Sequence, residues 1–101
     1  MVSPVQTYTL HYQSGGSSEA LIDLFDAGVL VAVLTFHKEA ADLPANVLQE
    51  GGVHDVHYHI SRFRDVLQIL QFEKPLHIRI KDGVADLMTS GFETVGEQEG
   101  H

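Results

Sequence analysis

The 101 residues include no cysteine, which rules out disulfides, zinc-thiolate and iron-sulfur sites, and thiol nucleophiles. Six basic against fourteen acidic residues give a formal net charge of -8, a surface that repels phosphate backbones, so no nucleic-acid partner is expected. An apolar content of 44% suits one ordinary soluble domain, and no stretch approaches the roughly 20 apolar residues of a membrane span or the pattern of a signal peptide, so a cytoplasmic, non-membrane setting is expected.

Residues 1–4 read as a ragged start. From Val5 to Gln13 the side chains alternate, with Tyr8, Leu10 and Tyr12 on one face and Thr7, Thr9 and His11 on the other, the period of a half-buried strand. The run from Ser14 to Ser18 breaks it and lacks the spacing and lysine of a phosphate loop. Residues 19–26 and 29–37 read as two strands joined through Asp26-Ala27-Gly28. A helix over 18–27 also fits the apolar spacing, but Gly28 and the following β-branched run favour a hairpin. The second of these strands is apolar on both parities and is expected to be central and covered on both sides.

Residues 38–52 read as a loop with room for a short helix, interrupted by Pro44, ended by Gly51-Gly52 and tied down by Leu43, Val47 and Leu48. Val53 to Ile60 is a strand. Ser61 can cap the helix that follows, in which Phe63, Val66, Leu67 and Leu70 recur at helical spacing, Ile69 and Phe72 broaden the stripe, and Pro75 sets the limit. Leu76, Ile78 and Ile80 then alternate with His77, Arg79 and Lys81, and Asp82-Gly83 turns the chain into a strand over 84–89. Phe92 or Val95 anchors the start of an acidic, glycine-containing tail, flexible from about residue 93 to the end. The fold class that follows is α+β: a curved, half-barrel-like, mainly antiparallel sheet of five to six strands packed by one amphipathic helix near 61–72, in a single domain over 1–101.

Seven histidines are many for this length, and three fall in His54-Asp55-Val56-His57-Tyr58-His59. On a strand, Asp55, His57 and His59 share a face. Two imidazoles two residues apart suit a divalent transition metal such as zinc, a carboxylate can add an oxygen ligand, and His77 on a later strand is the candidate third imidazole. His11 and His37 also fall on outward parities. The competing reading is a solvated strand face that binds no cofactor. His54, among apolar companions, reads as a partly buried histidine hydrogen-bonded to backbone or to Tyr58. No serine lies in a hydrolase elbow.

These residues point first to a small cytoplasmic binding or protein-interaction module, with a protein or small polar ligand. Homodimerisation through sheet faces or edges would shelter the doubly apolar strand. The alternative is a metal-binding protein or metal-dependent enzyme built on His57, His59, Asp55 and His77.

Overall fold

The computed structural model of the chain describes residues 2–16 and 18–89, so the tail and its anchors Phe92 and Val95 lie outside the described residues. Its elements run β1 (Val2–Val5), β2 (Thr7–Tyr12), β3 (Ser18–Asp26), β4 (Val29–His37), β5 (Val47–Leu48), β6 (His54–His59), α1 (Phe63–Phe72), β7 (Leu76–Lys81) and β8 (Val84–Thr89). The fold is α+β. A mostly antiparallel five-stranded sheet, ordered β2-β3-β4-β6-β5, is packed by the single α-helix found among the described residues. Within it only β4 and β6 run parallel. A second, antiparallel sheet of three strands, β1-β7-β8, joins α1 on the same side of the core.

Alternation along the strands builds that core. Ala20, Ile22 and Leu24 of β3, Ala32, Leu34 and Phe36 of β4 and Val56 of β6 point one way and are fully buried, and Val66 of α1 and Ile78 of β7 meet them. Phe36 is the hub: Tyr58 stacks on it at 5.3 Å between ring centroids, and Phe63 meets it edge-on at 5.2 Å. Burial of each large side chain in this set contributes roughly 1.5 to 3 kcal/mol before chain entropy is subtracted. His54 is also fully buried, and its Nδ1–H donates to the carbonyl of Val31 at 3.0 Å. It is the backbone-bonded core histidine its apolar neighbours imply.

The strand at 29–37 is central, as its composition implies, but among the described residues it is covered on one side only. Helix and second sheet both pack on the face of Ala32, Leu34 and Phe36. Val33, on the opposite parity, stays half-exposed.

Four local expectations need correcting. The ragged start is instead β1, paired with β7 so that Pro4 lies opposite His77 on an edge strand, where its missing N–H costs no ladder bond. The strand expected over 5–13 is broken at Gln6, whose N–H donates to Phe25 O at 2.8 Å and whose Oε1 accepts from the Ala27 N–H at 3.1 Å. These bonds hold the corner where the chain leaves one sheet for the other. Between β4 and β6 there is a 3-10 turn at Ala40–Asp42 and the two-residue β5; Leu43 and Val47 are exposed, leaving Leu48, opposite His54, as the half-buried tie. Finally, the chain enters α1 through a 3-10 turn at Ile60–Arg62 capped by His59, whose ring nitrogen accepts from the Ser61 N–H, while Ser61 itself lies inside that turn. Val66 is the buried member of the helical stripe and Phe63 and Leu70 pack on the core, whereas Phe72 is exposed.

Both predicted hairpins close on two residues with positive φ: Ala27 (51°) with Gly28 (81°), and Asp82 (54°) with Gly83 (76°). Such turns match the right-handed twist of the flanking strands. Nothing lies within 4 Å of where a Cβ would stand on Gly28 or Gly83, so the backbone angle, and not crowding, selects glycine. Ala27 is the misfit, since its Cβ is strained in this region and it has no side-chain oxygen to bond locally. Ala27→Asn, which creates the Asn-Gly pair these turns favour, is expected to stabilise the protein by about 0.5 to 1 kcal/mol, raising Tm by several degrees in a thermal melt. An unchanged or lower Tm would show that the turn is not strained.

Candidate functional site

The outer face of the five-stranded sheet, opposite the core, gathers most of the predicted site. Parity places Asp55, His57 and His59 of β6 together, and the parallel pairing sets Asp55 beside Val33, His57 beside Thr35 and His59 beside His37. Register with β3 brings Asp23 to the other side of Val33 and Leu21 to the other side of Thr35. His11 of β2 reaches Asp23 at 3.5 Å. The face thus has an apolar middle, in which Leu21, Phe25 and Val33 are half-exposed and take no part in the core, flanked by two imidazole-carboxylate pairs.

The β6 flank has the more polar contacts. His37 Nε2 lies 2.9 Å from His57 Nδ1, a bond in which one ring donates and the other accepts. His57 Nε2 lies 3.2 Å from Asp55 Oδ2, within ion-pair reach but outside hydrogen-bond geometry. The proton placement that serves both contacts puts hydrogen on His57 Nε2, toward the carboxylate, and on His37 Nε2, toward His57. Gln49 adds a contact to Asp55 Oδ2 at 3.4 Å. The His57 side chain is 10% exposed and Asp55 30%, so the chain Asp55-His57-His37 is sheltered at its centre and open at the carboxylate.

His59 is committed elsewhere. Its Nδ1 accepts from the Ser61 N–H at 3.2 Å and lies 2.8 Å from Ser61 Oγ, while its Nε2–H donates to the carbonyl of Lys38 at 3.0 Å. Neither ring nitrogen offers a lone pair unless one of these bonds breaks. His77 is in the second sheet, on β7 opposite Pro4 and Met88, with parity opposite to the core residues Ile78 and Ile80. It therefore faces away from the core on the far side of the molecule from His57. Among the described residues no group of three or more His, Asp or Glu is arranged to hold a metal ion. What the structure assembles is Asp55, His57 and His37, with His59 beside them as a cap.

Asn46 had no sequence signal. It precedes β5, where the ladder beside β6 runs out, and its Oδ1 accepts from the otherwise unpaired His57 N–H at 2.8 Å while its Nδ2 donates to the carbonyl of Gly83 at 3.1 Å. One amide thus ends the five-stranded sheet and ties it to the tip of the β7–β8 hairpin.

Comparison with protein-family models, with curated proteins and with solved structures finds no match to this chain.

Two outcomes follow from this geometry. Asn46→Ala leaves a part-buried N–H and a carbonyl without partners, and is expected to cost about 1 to 2 kcal/mol in urea unfolding. Asn46→Asp keeps the acceptor but turns an oxygen toward Gly83 O, so it should be no more stable than the alanine variant, and near-wild-type stability in both would remove the bridging role. Behind the face, burial and then the negative charge of Asp86 hold the Tyr58 hydroxyl above its ordinary value of 10.0. The folded state grips that proton more tightly than the unfolded chain, so this contribution is complete below the ordinary value and is lost as pH rises through the raised one. Denaturant midpoints on either side of pH 10 should therefore fall more steeply in wild type than in Tyr58→Phe; equal slopes would refute the assignment.

Proposed function

We propose that this chain is a small cytoplasmic binding module, non-catalytic, that engages a protein surface or a small polar ligand through the outer face of its five-stranded sheet. The observation that carries this reading is the make-up of that face: a half-exposed apolar middle of Leu21, Phe25 and Val33 between the His11-Asp23 and Asp55-His57-His37 flanks. An apolar patch framed by groups that both donate and accept is the composition of a recognition surface. The polar groups there are already engaged with one another, which suits fixed recognition better than proton transfer to a reacting molecule. The cysteine-free composition fits a reducing compartment. No helix among the described residues is long and apolar enough to cross a membrane.

The metal-dependent alternative draws no comparable support, because His59 is occupied as a cap and His77 is remote. Two measurements test the proposal together. Amide shift mapping against a mixture of small aromatic and amide fragments should give perturbations that cluster on residues 21–25, 33–37 and 55–57, while calorimetric titration with zinc, nickel or cobalt should give no stoichiometric binding at micromolar metal. Fragment shifts confined to other surfaces would overturn the reading, as would stoichiometric metal binding that disappears in His57→Ala.

A further inference from the structure

The two sheets have four edges among the described residues: β2 and β5 in one, β1 and β8 in the other. Unpaired edges invite another strand, and proteins that remain monomeric usually blunt them with proline, charge or brevity. Three of these edges are blunted. β1 has Pro4 within its four residues, β5 is two residues long, and β8 has Asp86 in its middle. β2, Thr7-Tyr8-Thr9-Leu10-His11-Tyr12, contains no Asp, Glu, Lys, Arg, Pro or Gly. In a chain of net charge -8 it is the longest of these edges that has no charged side chain. It is also β-branched and aromatic in composition, and two of its apolar side chains remain in water, Leu10 at 42% and Tyr12 at 68% exposed.

The hydrogen-bond phase of β2 identifies the partner and the register. Gln13 N–H donates to Glu19 O at 2.7 Å, and the register continues Tyr12 to Ala20, His11 to Leu21 and Leu10 to Ile22. Bonding pairs alternate along an antiparallel ladder, so His11 and Thr9 turn their backbone groups toward β3, while Tyr8, Leu10 and Tyr12 turn theirs toward the open edge. These three outward residues are centred on Leu10. We infer that the β2 edge is a homodimer interface, in which β2 pairs antiparallel with β2 of a second copy about a twofold axis at Leu10. Leu10 then lies opposite its own copy and Tyr8 opposite the partner copy's Tyr12, so every outward backbone group finds a bond and every apolar side chain an apolar partner. Thr9 falls opposite His11 on the other face, with no like charges brought together.

The same axis continues the core. Tyr8, Leu10 and Tyr12 share the face that carries Ala20, Ile22 and Leu24, and Phe63 of α1 already lies against Tyr12 at 5.6 Å between ring centroids. Pairing extends one apolar layer across the seam and leaves the outer face of each copy open. The interface is thus distinct from the surface assigned to ligand binding, and failure of either proposal leaves the test of the other intact. A single six-residue ladder with few flanking side chains is a small interface, with an expected dissociation constant on the order of micromolar.

Sedimentation of the full chain from about 1 to 500 μM spans such a constant. The mass is expected to rise from that of the 11.1 kDa monomer to twice that value. Leu10→Lys puts two ammonium groups face to face on the axis and should stay monomeric throughout, with its far-ultraviolet circular dichroism and Tm close to wild type because the site is exposed. Leu10→Cys introduces the only thiol, next to its symmetry mate, and should form a covalent dimer on mild oxidation at least tenfold faster than Val84→Cys, an exposed control on β8. A monomer at every concentration would overturn the inference. So would a dimer that persists in folded Leu10→Lys, or cross-linking no faster through position 10 than through position 84.

Discussion

Alternate side chains of three neighbouring strands must leave water together, because the face that Ala20, Ile22 and Leu24 share with Ala32, Leu34, Phe36 and Val56 is continuous and, apart from the hydrogen-bonded His54, overwhelmingly apolar. A lone sheet cannot bury such a face, and a ten-residue helix is too narrow to cover it. The cover is therefore composite. α1 supplies Val66 and Phe63, and the β1-β7-β8 sheet supplies Ile78, Ile80 and Leu87. Phe36 lies under this arrangement in contact with Tyr58 and Phe63, so a change in its volume would reach strand and helix at once. Everything polar in the structure is fitted around that requirement.

The fitting is visible where the backbone runs out of partners. β6 is bordered by a full strand on one side and by two residues on the other, which leaves donors that need an acceptor. Asn46 supplies one to His57, His59 supplies one to Ser61, and the Val31 carbonyl accepts from the ring N–H of buried His54. Histidine serves here chiefly as a donor and acceptor of fixed geometry. That explains why a sequence so rich in imidazole brings so few of them to one point.

The strand pattern, the two-residue hairpin signals and the helical stripe at 63–70 were legible because each is set by neighbours in sequence: period, turn chemistry and Pro75. The face shared by Asp55, His57 and His59 was legible for the same reason. What could not be read depends on contacts across the chain. β1 takes its place only because β7, more than 70 residues later, offers an edge on which Pro4 is tolerated. The parallel pairing of β4 with β6, which joins His37 to His57, needs a crossover that resembles an ordinary polar loop. Asn46 carries no local signal, since its two bonds go to residues 11 and 37 positions away. His77 does not lie beside His57 because two strands of similar pattern lie in different sheets, and composition does not distinguish them.

The parallel pair has a consequence for how the chain is assembled. β2, β3 and β4 are joined by short turns and can zip from neighbour to neighbour, whereas β6 reaches β4 only after the intervening residues 38–53 have been drawn into a closed loop. Closing that loop costs more entropy than closing the short hairpin turns. His37 and His57 sit on either side of that last join, 2.9 Å apart. The imidazole contact therefore has no partly folded version: it exists when the sheet is closed and vanishes when β6 detaches, which makes its ring protons a built-in gauge of whether the parallel join between β4 and β6 is in place.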